Sequence, residues 1–332
     1  MISGNDFRVA AASRFAAGAV TNDDIALTPN PSPGREAVPF DFDGVFVGTA
    51  EYSEGPTGCT VIHIPDGART AIDARGGAVG LSGGYQVHQA IVLAGGSVYG
   101  LEAAAGVSTE LLHRVENRTH WSALQHVSGA VIYDFSARDN AIAPDAALGR
   151  AALRNAVAGQ FPVGRCGAGL AASVGKIDFS RAEFAGQGAA FRTFGEVKVL
   201  VATVVNAVGV IVDRDGRIVR GNVHADTGMR HPPFEDYLAA TTGAPEMPTL
   251  AGNTTLSVLI TNVRLPDTAL RQLGIQVHSS MHRAIQPFHT ELDGDIMFTL
   301  TTDEVDLTGI TAAGLGALAS EVAWDAVLSS AQ

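Results

Sequence analysis

Gly252-Asn253-Thr254-Thr255-Leu256-Ser257-Val258-Leu259-Ile260-Thr261-Asn262-Val263 joins two kinds of chain. Ahead of it, Thr241–Asn253 is rich in Pro, Gly and Thr and carries little apolar pattern, the composition of a linker. From Thr254 onward, β-branched and aliphatic residues dominate, which predicts a buried strand over Thr254–Val263. The first residue of that strand carries a hydroxyl. The strand holds it rigidly, while the residue before it sits in a segment free to be strained or exposed. This suits an N-terminal nucleophile: the hydroxyl attacks the preceding carbonyl, an ester forms, and water releases a new amine. The freed α-amine has an intrinsic pKa near ~8 and can serve as base for the same hydroxyl. The plainer reading leaves Thr254 as a strand residue chosen for its branched side chain.

Working outward, Val197–Val212 predicts a long strand or a hairpin pair, closed by the turn signal Asp213-Arg214-Asp215-Gly216. Leu265–His282 predicts a helix with Pro266 near its start. Ile296–Thr301 predicts a strand, and Gly314–Leu328 a closing amphipathic helix. Upstream, Phe42–Thr49, Cys59–Ile64 and Ala130–Phe135 read as strands. Gly100–Leu112 and Pro144–Ala158 read as helices, the second supported in its first turn by Asp145. Gly76–Gly96 is Gly-dominated with short apolar runs, and Gly164–Gly175 is a small-residue loop. Residues 1–39 look irregular, with Asn30-Pro31-Ser32-Pro33-Gly34 a turn-rich connector. Strands and helices alternate without internal repeat, so the class is layered α/β or α+β in a single domain, 1–332.

Composition narrows the function. The formal net charge of −12 disfavours nucleic acid and anionic membrane surfaces as partners. Val197–Val212 is the nearest approach to a membrane span, but Lys198 and Asn206 interrupt it. The N-terminus lacks a signal-peptide pattern. Cys59 and Cys166 are the two cysteines, too few for a disulfide framework, and read as reduced thiols of a cytoplasmic protein. No Gly-rich segment forms a phosphate loop or dinucleotide fingerprint, so no cofactor is expected. His278 and His282 stand four apart with His289 nearby, a spacing able to hold a metal. Ser279 occupies the place where a metalloprotease helix carries its Glu, so a structural or surface role is expected and no metal.

The Gly252–Thr255 junction and the strand after it, ending Thr261-Asn262-Val263-Arg264, resemble the processing site of the 6-aminohexanoate-oligomer endohydrolases, the nylon hydrolases. These sit within the wider family of D-aminopeptidases and β-peptidyl aminopeptidases with N-terminal-nucleophile chemistry. Other stretches resemble the same family: Glu54–Gly58, Asp73–Tyr85, Val131–Arg138, Gln276–Arg283, Gln286–Thr290 and Thr301–Glu304. The likeness runs from about Phe40 to the C-terminus.

The resemblance implies a four-layer αββα sandwich and self-cleavage between Asn253 and Thr254. The resulting 1–253 and 254–332 chains would stay associated, with further assembly into a tetramer of processed heterodimers. It also implies roles. Thr254 is the nucleophile. Asp293-Gly294-Asp295 matches the family's paired carboxylates, Asp293 contacting Thr254 and Asp295 orienting Asp293. On a strand the two would face the same side, and their closeness would raise one pKa. Lys176 matches a lysine near the nucleophile. Asn206, a buried amide in an apolar run, matches a donor to the carbonyl oxygen. Tyr133 matches a pocket tyrosine, and Gly95–Gly100, with Tyr99, would shape the cleft from the other side. The implied activity is endo-hydrolysis of linear 6-aminohexanoate oligomers, small oligoamides, without cofactor. An aminopeptidase of the same family, an ornithine-type acyltransferase, a metal hydrolase and an unprocessed binding or assembly protein remain the alternatives.

Overall fold

The computed structural model describes residues 18–31, 36–243 and 252–332. Most of the linker expected over Thr241–Asn253, and parts of the irregular N-terminal stretch, lie outside the described residues. The principal strands are β1 (Phe46–Tyr52), β2 (Thr57–Ala74), β3 (Val87–Ala94) and β4 (Val127–Val131). They are followed by β5 (Gln187–Phe194), β6 (Val197–Asn206), β7 (Thr254–Arg264) and β8 (Ile296–Asp306). The principal helices are α1 (Glu102–Arg114), α2 (Ala146–Arg154), α3 (Asp267–Ser280) and α4 (Ala312–Ser329), and a further short helix spans Pro233–Thr241.

Strand alternation builds four layers. In β7, Leu256, Val258 and Ile260 face one core, and in β8 so do Ile296, Phe298 and Leu300. Opposing them in that core are Val47 of β1, Ile62 of β2 and Ile91 and Leu93 of β3. This is the seam between two β layers. The other face of β6, β7 and β8 sends Val199, Leu259 and Met297 into a second core with α3 and α4. The outer face of β1, β2 and β3 packs Tyr52, Val61 and Val92 against α1 and α2. The order is therefore helix, sheet, sheet, helix. Removing the Phe298 ring from the middle seam would cost about 3–5 kcal/mol.

β2 belongs to both β layers. Its first half pairs with β1 and its second half with β8, while β3 pairs with it over Cys59–His63 and again at Ala68 and Arg69. The register breaks between His63 and Ala68. The sequence there is Ile64-Pro65-Asp66-Gly67, and Gly67 takes φ +79°. A Pro and a left-handed Gly inside a strand make the bend that lets one strand serve two sheets.

Several expected boundaries move. Ala130–Phe135 is not one strand: β4 ends at Val131, and Tyr133 stands in the loop beyond it. Val197–Val212 is neither one strand nor a hairpin. β6 stops at Asn206, and Val210–Val212 joins a separate small sheet with Ile218–Arg220 and Ile285–Gln286. Pro144–Ala158 is helical only over α2, capped by the Asp145 carboxylate on the Leu148 N–H.

Candidate active site

Thr254 opens β7 directly opposite Asn206, the last residue of β6. Asn253 forms a parallel bridge with Asp293. Its N–H donates to the Leu292 carbonyl at 3.2 Å, and its own carbonyl accepts the Gly294 N–H at 2.7 Å. The Thr254 hydroxyl donates to the same Asn253 oxygen, 2.5 Å from Oγ1. One carbonyl is thus approached by a nucleophilic oxygen and by a backbone donor. Thr254 is only 4% exposed.

Two glycines make this approach possible. Gly252 has φ +105°, and a Cβ there would fall 2.6 Å from the Tyr133 ring. A Cβ on Gly294 would lie 2.7 Å from Thr254 Oγ1 and 2.5 Å from the Ala78 carbonyl oxygen.

Asn206 is fully buried and its amide is oriented by its partners. Oδ1 accepts the Ser173 N–H at 3.1 Å and Lys176 Nζ at 2.8 Å. Nδ2 therefore faces the other way, donating to the carbonyls of Tyr133 at 3.1 Å and Gly252 at 3.5 Å. Lys176 also reaches the Asn206 carbonyl at 3.1 Å. Burial pushes the Lys176 ammonium down to about 7, against the opposing pull of the Asp293 and Asp134 charges.

The two carboxylates do not share a strand face. They precede β8, and their oxygens point to different partners. Asp293 Oδ1 accepts the Val208 N–H at 3.3 Å, and Oδ2 accepts the Thr290 N–H and hydroxyl at 3.0 and 2.5 Å. Asp295 Oδ1 accepts the Thr255 N–H at 2.6 Å, and Oδ2 meets the backbone and ring of His289. The expected Asp295–Asp293 and Asp293–Thr254 contacts are therefore not direct hydrogen bonds in the continuous chain. Burial, and then the Asp295 charge, push the Asp293 carboxyl above its ordinary range.

A cavity of about 440 Å³ opens beside Thr254. It is lined by Ala78, Val79, Gly80, Ser97, Val98, Val131, Tyr133, Gly252, Asn253 and Thr254, none of them charged. Tyr133, in the loop after β4, lies against the cavity. Ser97 and Val98 also line it, but Tyr99 is 70% exposed and stands outside the lining. His278, His282 and His289 do cluster, yet no metal-holding group of three or more His, Cys, Asp or Glu occurs among the described residues. His278 is a buried residue rather than a surface one. Sequence reasoning missed the Gly294 N–H, Val208 and Thr290, and it named His289 only beside a possible metal spacing, not beside Asp295. Only the Gly between the two acids hinted at the first.

The model of peptidase family S58 matches residues 40–331. The 6-aminohexanoate-oligomer endohydrolase of Paenarthrobacter ureafaciens is 58% identical over 323 residues, covering 94% of this chain and 91% of that protein. The enzyme of the same description from Kocuria sp. (strain KY2) is 59% identical over 318 residues, covering 92% and 89%. Among solved structures, the L-aminopeptidase D-Ala-esterase/amidase of Ochrobactrum anthropi superimposes with a TM-score of 0.61 at 18% identity, covering 89% of this chain and 86% of that one. That structure is described as a variant of the Ntn hydrolase fold. The fold here is thus the four-layer αββα sandwich of the N-terminal-nucleophile type.

Proposed function

Because the chain belongs to peptidase family S58 and is an amide hydrolase, we propose that it cleaves itself between Asn253 and Thr254 and then uses Thr254 to hydrolyse internal amide bonds of linear 6-aminohexanoate oligomers. The observation that carries this reading is the Asn253 carbonyl, held between Thr254 Oγ1 and the Gly294 N–H.

Thr254 Oγ1 bonds to the Asn253 carbonyl carbon, and the carbonyl oxygen takes up negative charge against the Gly294 N–H. The Thr254 nitrogen then leaves as an amine, taking a proton, and Asn253 remains as an ester on Oγ1. Asp293, whose raised pKa keeps a proton available nearer neutral pH, is the group we assign to give that nitrogen its proton and to take up the one Oγ1 loses, on a shift of the 293–295 turn that brings its carboxyl to Thr254. Water hydrolyses the ester and yields chains 1–253 and 254–332. In the second reaction the free amine accepts the Oγ1 proton as the hydroxyl attacks a substrate amide and passes it to the departing substrate amine, and water then hydrolyses the acyl-enzyme and restores Oγ1–H. Asn206 Nδ2, oriented by Lys176, is the donor for the substrate carbonyl oxygen once the Gly252 carbonyl withdraws.

The uncharged cavity lining favours the middle of an oligoamide over a charged terminus, because no carboxylate there would anchor a free amine. The aminopeptidase reading predicts the reverse, a requirement for a free amino end. The same proposal includes lasting association of the two chains, assembly into tetramers through exposed apolar residues such as Val98 and Trp121, and action in the cytoplasm, where the buried thiols of Cys59 and Cys166 stay reduced. No helix among the described residues is long and apolar enough to cross a membrane.

Intact-mass analysis of freshly purified protein tests the core of it. Two chains are expected, the smaller beginning at Thr254. A backbone permanently continuous at that bond, in a preparation that still hydrolyses amides, overturns it.

A further inference from the structure

Behind the nucleophile stands an imidazole that the reaction as written does not use. His289 contacts Asp295 Oδ2 twice, through its backbone N–H at 3.0 Å and its ring Nδ1 at 2.9 Å. Asp295 Oδ1 accepts the Thr255 N–H. Both carboxylate oxygens already accept backbone donors, so Nδ1 is the donor to Oδ2. A line of hydrogen bonds runs from the imidazole, through a fully buried carboxylate, to the residue after Thr254.

His289 holds φ +59°, a left-handed conformation uncommon for a residue with a side chain. Such a backbone persists where its surroundings over-determine it. Here the Phe288 ring stacks on the imidazole with centroids 3.9 Å apart, and the rings of His278 and His282 meet it edge-on at 4.3 and 5.1 Å. His278 is itself tied through Nδ1 to Asp73 at 2.9 Å, and Arg75 holds the same Asp73 oxygen at 2.6 Å. The ring of His289 is thus fixed on several sides, with its one donor aimed at Asp295.

We propose that His289 is a positioning residue for this amide hydrolase: its Nδ1–H fixes Asp295, and Asp295 holds the Thr255 N–H so that Thr254 Oγ1 stays aligned with the carbonyl it attacks. The inference rests on the Thr254 reading above. An Asp295 locked beside Asp293 also keeps its charge where it helps Asp293 retain a proton.

Three variants separate a hydrogen-bonding role from packing. His289→Asn keeps a donor near the Nδ1 position and suits a left-handed backbone. His289→Phe keeps a stacked ring without a donor. His289→Gly relaxes the backbone and removes both. Each is checked for native melting, then assayed for appearance of the Thr254 N-terminus and for kcat and KM on a 6-aminohexanoate oligomer. His289→Phe and His289→Gly should slow both reactions by about 10–100-fold with KM nearly unchanged, and His289→Asn should exceed His289→Gly by at least about fivefold. His289→Phe at the unsubstituted rate, or a folded His289→Asn no faster than His289→Gly, overturns the proposal. If His289→Phe does not fold, the Asn and Gly variants decide alone. Failure of the unsubstituted protein to expose Thr254 sinks the parent reading. Normal processing there with no Asn rescue sinks only this one.

Discussion

The Gly294 N–H meets the Asn253 carbonyl oxygen at 2.7 Å, and the same glycine leaves no room for a Cβ beside Thr254 Oγ1. One residue therefore supplies a donor and the space for a nucleophile. Gly294→Ala should displace Thr254 or the 293–295 turn. Self-cleavage should slow by about 100-fold or more, read from the time course of chain separation on denaturing gels, because about 1 Å of misplacement suffices for such a loss.

Thr254→Ala should leave a single continuous chain and no amide hydrolysis. Thr254→Ser should process and hydrolyse measurably, since the hydroxyl survives. Mass spectrometry after prolonged incubation decides it, and any Thr254→Ala protein that splits at this bond removes the proposed nucleophile.

Asn206→Leu removes the amide that faces Gly252 and leaves the Lys176 ammonium without its Oδ1 acceptor. We expect kcat to fall by at least about 100-fold, the usual consequence of deleting a donor to a developing oxyanion. Stability should fall as well, because Lys176 and the Ser173 N–H stay buried without that partner.

Lys176 gives stability a pH dependence of known sign. Its folded pKa of about 7 lies below its ordinary 10.5. Between those values the unfolded chain binds a proton that the folded chain does not, so stability rises with pH across that window and this contribution is gone below about 7. Asp293, shifted upward, acts in the opposite sense: its protonated form favours the fold at low pH, and that contribution is lost as pH rises through the shifted pKa. Denaturant melts of Lys176→Met should flatten the slope between about pH 7 and 10. Asp293→Asn should lose self-cleavage, and its stability should no longer fall as pH rises through the shifted pKa.

The layers were legible because their signals are local. β7 and α3 declare themselves through apolar periodicity and a leading proline, and Asp145 through its place ahead of a helix. Asn206 was legible as a polar residue inside an apolar run. The two acids were misread because period-two reasoning presumes a strand. The backbone there is instead an irregular turn braced by Gly76, whose Cβ would lie 2.0 Å from the Asp293 carbonyl oxygen. The place of His289 beside Asp295 escaped because neither a left-handed φ nor such a contact has a sequence period. Tyr99, set in the Gly95–Gly100 stretch, resembled a pocket residue but faces solvent.

The 254–332 portion is woven in rather than appended. Its strands β7 and β8 lie side by side, gripped by β6 on one flank and β2 on the other, and its two helices form one whole outer layer. A break ahead of Thr254 would create two molecules by covalent count and one by melting. Neither fragment could depart without stripping the sheet of its middle rungs, so the nicked protein should unfold in a single cooperative step and resist separation by any method short of denaturation.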